Sequence, residues 1–111
     1  MTRHGLSDRT LGAIQGVLAN FPEVEKAILY GSRAKGVHKP GSDIDLTLFG
    51  DRLTHRIHSS IDSRLDDLLL PYEIDLSLFS RLKEQALIDH IRRVGIVIYS
   101  RQPSPAKTGS V

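Results

Sequence analysis

The 111-residue sequence contains no cysteine and no tryptophan, and aromatic residues make up only 5% of it. Without cysteine the chain forms no disulfide and offers no thiolate to a metal. No apolar run approaches the roughly 20 residues that cross a bilayer. The first ten residues, MTRHGLSDRT, lack the apolar core of a signal peptide. These absences predict a cytoplasmic protein with no membrane partner.

The chain carries only a small excess of positive charge, with a net charge of +2 and a pI near 9.2. A protein that binds nucleic acid usually carries a dense basic face, so direct binding of nucleic acid is not expected. The length suits one domain with a modest core. We expect that domain to occupy residues 1–100 and the polar, turn-rich segment 101–111, RQPSPAKTGSV, to be a disordered tail.

The spacing of apolar residues predicts alternating helices and strands. Helical spacing recurs three times, and short apolar or strictly alternating runs lie between those segments. In chain order the pattern predicts a helix capped by Ser7, the strand KAILY, a short helix at SRAKG, the strand DIDLTLF, a helix carrying Leu53 to Leu68, the strand YEIDLSLF, a helix carrying Leu82 to Val94 that stops at Gly95, and the strand IVIYS. A sheet with helices packed on it follows from this order.

Acidic residues share one face of two predicted strands. Strict alternation in DIDLTLF places Asp43 and Asp45 on the face opposite the core. Asp75 has the same phase in YEIDLSLF, and Glu73 on that face is a weaker alternative. Carboxylates this close repel one another unless a cation lies between them, and Mg²⁺ favours carboxylate and phosphate oxygens. If the strands are neighbours, three acids converge in a geometry that suits two metals about 4 Å apart.

A Gly-Ser pair precedes the first acids. Gly31 lets the backbone approach a ligand closely, and Ser32 opens a short helix whose first amides favour anions. Arg33 and Lys35 would add positive charge. Each feature alone is weak, since a Gly-Ser pair usually marks a turn and a D-x-D pair usually marks a solvated strand. The combination predicts a site with phosphate at one end and metal at the other.

Histidines near these features are weaker candidates. His38 and Lys39 precede the acids in a loop and are better explained by loop solubility than by contact with phosphate. His55 and His58 lie three residues apart on a predicted helix, a spacing that can bind a metal. Because no third ligand is nearby, a solvated helix face is the better interpretation.

The spacing Gly31-Ser32, ten further residues, Asp43-Ile44-Asp45 resembles the G-S-x10-D-x-D signature of the DNA polymerase β-like nucleotidyltransferase superfamily. GSRAKG and SDIDL resemble the minimal nucleotidyltransferases of bacteria and archaea in particular. LPYEIDLSLF is similar to the strand that carries that family's third acid, and IRRVGIVIYS to its closing helix and strand. The resemblance covers residues 7–100. Lys35 departs from it, because the family often has arginine there and lysine lacks the bidentate fork.

The resemblance implies a fold, a reaction and roles for individual residues. The fold would be a small mixed sheet with helices packed on one side, in the α+β class. Asp43 and Asp45 would bind two Mg²⁺ ions, and Asp75 would bind the second ion and help to deprotonate an acceptor hydroxyl. AMP would pass from ATP to that hydroxyl with release of pyrophosphate. The residues that would bind the nucleotide are Gly31, Ser32, Arg33, Lys35 and Ser42.

The resemblance also implies a partner. Larger members of the superfamily hold the acceptor with an extra domain, for which this length leaves no residues. The minimal family is similar to proteins paired with an all-helical HEPN-type toxin, which the nucleotidyltransferase neutralises as an antitoxin by adding AMP to a tyrosine. The alternatives are neutralisation by complex formation without catalysis, and transfer to a small molecule or an RNA end. A homo- or hetero-oligomer is compatible with each.

Overall fold

The computed structural model describes residues 5–37, 39 and 41–101. The elements are α1 (Asp8–Ala19), β1 (Lys26–Tyr30), α2 (Ser32–Lys35), β2 (Ile44–Phe49), α3 (His55–Asp66), β3 (Ile74–Leu78), a 3-10 turn (Phe79–Arg81), α4 (Gln85–Val94) and β4 (Ile96–Ser100). The predicted order of helices and strands is confirmed, with the 3-10 turn added. His38 and the predicted tail from residue 102 onward lie outside the described residues.

Four strands form one mixed sheet in the order β3-β2-β1-β4. β1 runs antiparallel to β2 and to β4, whereas β2 and β3 are parallel. A parallel pair needs a long crossover connection, and α3 supplies it between β2 and β3. The predicted fold class, a small mixed sheet with packed helices, is confirmed. Within the described part of the chain, no helix is long and apolar enough to cross a membrane.

One face of the sheet packs against α1 and α3. Alternation in β2 and β3 places apolar residues on this face, and burying them removes apolar surface from water. The buried residues that form this core are Leu6, Ile14, Val17, Leu18, Val24, Ala27, Leu29, Ile44, Leu46, Leu48, Ile61, Leu65, Leu76, Leu78 and Ile98. The acids of the two strands are therefore left on the opposite face.

α4 contacts β1 from the face that carries the acids. Tyr30 of β1 meets the ring of His90 on α4, and Ile28 lies close to Gly95 at the end of α4. Both β1 residues alternate with the core residues Ala27 and Leu29. The predicted packing of helices on one side of the sheet therefore applies to α1 and α3. α4 forms a further layer over β1 on the other side, beside the acids.

Two predicted helices begin a few residues later than predicted, α3 at His55 rather than Leu53 and α4 at Gln85 rather than Leu82. α3 begins later than predicted because Thr54 caps it, its side chain accepting a hydrogen bond from the Ile57 N–H at 3.2 Å. Leu53 and Leu68 pack against the core from outside that helix. Gly95 ends α4 as predicted, but with φ −60° rather than a left-handed cap.

Candidate active site

Three side chains form a row across the acid-bearing face. In the strand register Tyr30 pairs with Asp45, and Asp45 pairs with Asp75. Neighbouring strands lie about 4.8 Å apart, so the two carboxylates are adjacent although thirty residues separate them in sequence. The parallel pairing of β2 with β3 therefore brings together two of the three predicted acids. Asp43 is exposed and immediately precedes β2.

The charge on Asp45 is disfavoured by its surroundings. Burial raises the pKa of Asp45 above its ordinary value, and the carboxylates of Asp75 and Asp43 raise it further. Burial is also the largest cause of the raised pKa of the Tyr30 phenol. A hydrogen bond with Ser77 acts against that rise, and Asp75 and Asp45 add to it. This row of groups would bind a cation favourably, because a cation offsets the repulsion between the carboxylates.

Gly31 lies directly against this row. Its φ is +79°, a conformation that side-chain-bearing residues seldom adopt. A Cβ at this position would collide with Oδ2 of Asp45. The Gly31 N–H donates a hydrogen bond to Nε2 of His90 at 3.0 Å, and its carbonyl accepts one from the Lys35 N–H at 3.2 Å. Glycine is thus required both by the turn and by the nearby carboxylate.

The carboxylates suit Mg²⁺ in their chemistry but do not form a closed ligand set. Among residues 5–37, 39 and 41–101, no three His, Cys, Asp or Glu side chains are grouped closely enough to hold a metal ion. Mg²⁺ is usually bound by one or two carboxylates together with substrate phosphates rather than by a cage of protein ligands alone. Asp45 and Asp75, with Asp43 beside them, fit a cation whose shell is completed by a bound nucleotide.

Arg33, which was predicted to bind the nucleotide, has a buried side chain. Its side chain is only 2% exposed, and its Nε and Nη2 donate to the Ser42 carbonyl at 3.1 and 2.9 Å. The guanidinium also lies over the Tyr72 ring, 4.7 Å from the centroid. Ser42 in turn accepts the Lys39 N–H on its hydroxyl at 2.9 Å. Arg33 and Ser42 therefore join α2 to the loop that leads into Asp43, and contact of either residue with a nucleotide stays a prediction.

The other predicted residues differ in their exposure. Ser32 is partly exposed at the start of α2, and Lys35 is exposed at its end. Glu73 lies just before β3 and lines a cavity of about 520 Å³ between the end of α3 and the start of β3. None of the three predicted acids lines that cavity. In the register of β2 with β3, the residue that lies beside Asp45 is Asp75 and not Glu73.

The sequence interpretation missed the contacts of three residues, of which Tyr30 and His90 lie at the Gly31 turn. Tyr30 had a usable signal, because alternation along KAILY places the residue before Gly31 on the acid face. His90 had none, since its contact with Gly31 spans 59 residues of sequence. His58 was interpreted as a solvated helix residue, but its Nε2 lies 2.9 Å from the Leu76 carbonyl and ties α3 to β3.

Comparison with known protein families gives one match over most of the chain. The family model "Polymerase beta, Nucleotidyltransferase" matches residues 13–104. Among curated protein sequences, none matches significantly.

Solved structures of similar shape have low sequence identity to this chain. A toxin–antitoxin complex with AMP-PNP is 19% identical, with a TM-score of 0.65 over 87% of this chain and 76% of the other. A tri-AMPylated Shewanella oneidensis HEPN toxin in complex with an MNT antitoxin gives 17% identity and a TM-score of 0.64, over 87% and 75%. A candidate nucleotidyltransferase from Sulfolobus solfataricus is 19% identical, with a TM-score of 0.53 over 86% of this chain and 84% of the other. At these identities the likeness concerns the fold.

Proposed function

Because the chain belongs to the polymerase β nucleotidyltransferase family, we propose that it transfers AMP from ATP to a hydroxyl in a magnesium-dependent reaction. The observation that carries this proposal is the register of β2 with β3, which aligns Asp45 with Asp75 beside Gly31. A carboxylate pair next to a glycine turn can hold cation and triphosphate together.

The residues divide the chemistry between them. Asp43, Asp45 and Asp75 would hold the cations, which would stabilise the negative charge of the reacting phosphates. The Gly31-Ser32 turn holds the triphosphate, and Lys35 adds positive charge at its exposed position. Asp75, also exposed, accepts the proton of the acceptor hydroxyl. The hydroxyl oxygen bonds to the α-phosphorus, the bond from that phosphorus to the bridging α,β oxygen breaks, and pyrophosphate leaves.

The acceptor we propose is a tyrosine of an all-helical HEPN-type toxin. Two proteins of similar fold support this choice: one is a toxin–antitoxin complex with AMP-PNP, and the other holds a tri-AMPylated HEPN toxin with its MNT antitoxin. In the proposed pair, this protein would be the antitoxin. Transfer to a small molecule or an RNA end has no comparable support among these structures.

A labelling experiment tests the transfer. The protein is incubated with Mg²⁺, ATP labelled in the α-phosphate and the product of the neighbouring gene, and mass spectrometry then locates the added AMP. We expect D43A/D45A to lower transfer at least about 100-fold, because the charge stabilisation at the phosphates is lost. The matched control D62A/D66A removes two exposed carboxylates from α3 and should transfer as wild type does. Transfer that survives in D43A/D45A would contradict the assignment of these acids.

Neutralisation by binding alone is the second candidate, favoured by the toxin–antitoxin complexes of similar fold. Cells that express the toxin distinguish the two. Protection by D43A/D45A equal to that by wild type supports binding as sufficient, and loss of protection with complex formation intact supports catalysis. Pull-down of the toxin by both variants provides the needed measure of complex formation.

A further inference from the structure

The turn after β1 is held by a side chain from a distant element. The Gly31 N–H donates to Nε2 of His90 on α4 at 3.0 Å. The His90 ring also meets the Tyr30 ring edge to face, with the centroids 6.3 Å apart and the planes at 79°. One imidazole therefore attaches α4 to Gly31 of the proposed nucleotide site and to the residue before it.

These contacts matter because glycine cannot fix its own conformation. Gly31 has access to more backbone conformations than any residue with a side chain. In the folded chain its N–H is held by His90, its carbonyl accepts the Lys35 N–H, and the Asp45 carboxylate fills the space of a Cβ. Of these, only the His90 contact comes from outside the motif. Without it, the turn loses the restraint on its N–H.

The contact also defines the state of His90. A ring nitrogen that accepts a hydrogen bond carries no proton, so His90 is neutral with its proton on Nδ1. The residue is partly buried, and its neighbours on α4 include Ile91, which is buried against the sheet. The ring thus packs against Tyr30 while its acceptor nitrogen holds the turn.

We infer that His90 is a positioning residue of the nucleotide site, fixing the Gly31-Ser32 turn in the conformation that receives a triphosphate beside Asp45. This inference deepens the proposed function and rests on it. His90 contacts the turn and Tyr30 rather than the carboxylates. Its loss should therefore raise KM for the nucleotide and leave kcat close to the wild-type value.

The test measures binding of AMP-PNP in the presence of Mg²⁺ by isothermal titration calorimetry. H90F keeps an aromatic ring but removes the hydrogen-bond acceptor. H90Q offers an acceptor oxygen at a reach similar to that of Nε2. The side chain in H90N also carries an acceptor oxygen but is too short to reach the Gly31 N–H. The net value of one hydrogen bond predicts about fivefold weaker binding for H90F and H90N, with H90Q within about twofold of wild type. D89A, an exposed neighbour on α4, should bind as wild type does.

Each outcome of the titration either supports or overturns the inference about His90. Equal affinity of wild type, H90F and H90N, or an equal loss in H90Q and H90N, overturns the inference. If thermal unfolding shows that H90F is not folded, the comparison of H90Q with H90N decides alone, because these side chains differ only in reach. Wild type that binds AMP-PNP but transfers no AMP overturns the proposed transfer, and the His90 comparison still stands. Wild type that does not bind AMP-PNP overturns both.

Discussion

At the scale of single residues, Asp45 lies where burial and neighbouring carboxylates oppose its charge. Gly31 lies against its carboxylate, Asp75 is its register partner, and Asp43 is two positions away. Its pKa is raised, first by burial and then by these two acids. If the site binds a cation and a nucleotide as proposed, the free protein carries this cost in stability for the sake of function.

Asp45→Asn should stabilise the free protein at neutral pH. Because the folded pKa lies above the unfolded one, folding holds the proton more tightly, and stability is lost as pH rises from the unfolded toward the folded pKa. The asparagine does not titrate, so D45N should be more stable than wild type at pH 7, and the gap should close as pH falls to about 4. Urea unfolding at several pH values measures this.

The control for that prediction is D62N, which removes an exposed acid of α3. Its stability should follow that of wild type at every pH tested. A gap between D45N and wild type that stays constant with pH would show that the charge of Asp45 is not its cause. D45N should also lose AMP transfer, in contrast to D62N.

At the scale of elements, Arg33 connects α2 to the loop before β2. Two hydrogen bonds to the Ser42 carbonyl and stacking on Tyr72 hold a side chain that is almost fully buried. A buried charged group is retained only where such partners compensate its desolvation. Arg33 on α2 thus fixes the loop that ends at Asp43. This residue of the motif acts by holding the backbone of that loop.

Arg33→Lys should destabilise the protein by about 1–3 kcal/mol, because lysine cannot make the forked contact or the planar stacking. Arg33→Ala should cost more. Urea denaturation gives the free energy of unfolding, and Lys35→Ala is the matched control, since it removes a cation from the exposed end of the same helix and should change stability by no more than about 0.5 kcal/mol. Equal stability of R33K and wild type would contradict the structural role.

Local pattern predicted the elements well and their ends less well. Alternation in DIDLTLF and YEIDLSLF placed each residue of β2 and β3 on its observed face, because one face of each strand meets the core. The start of α3 was misjudged, since Thr54 as a cap competes with the apolar spacing that begins at Leu53. The inward position of Arg33 was not predictable either, because its partner Tyr72 is brought near only by the fold.

At the scale of the whole molecule, one small core supports the site. Domains of this size are stable by only about 5–15 kcal/mol. A ligand that binds only the folded state adds to that margin by RT ln(1 + L/Kd), where L is its free concentration, so the gain grows with the logarithm of the ligand concentration above Kd. If the acids and the glycine turn bind nucleotide and Mg²⁺ together, global stability should report on the site.

AMP-PNP and Mg²⁺ together should therefore raise the melting temperature. At a concentration 100 times Kd the gain is about 2.7 kcal/mol, and each 1 kcal/mol corresponds to roughly 4–8 °C in a domain of this size. Adding EDTA should abolish the increase, and D43A/D45A should show none. Differential scanning fluorimetry measures both, and an increase with AMP-PNP that persists in EDTA would contradict metal-dependent binding.

The assembled site could be foreseen only in part. The sequence placed acids on the same face of two strands, but whether those strands are neighbours depends on the crossover through α3, which no local pattern specifies. Asp45 and Asp75 are brought together by that topology. The contact of His90 with Gly31 likewise depends on α4 lying over β1 on the acid-bearing face.

The parallel pairing of β2 with β3 has a consequence for errors in folding. Leu46 and Leu48 pair with Leu76 and Leu78 on the core face by the same register that pairs Asp45 with Asp75 on the other. A shift of β3 by one residue would bury Asp75 and expose the leucines. The leucines thus select against this shift, because a one-residue misalignment of the carboxylates would also disrupt the core.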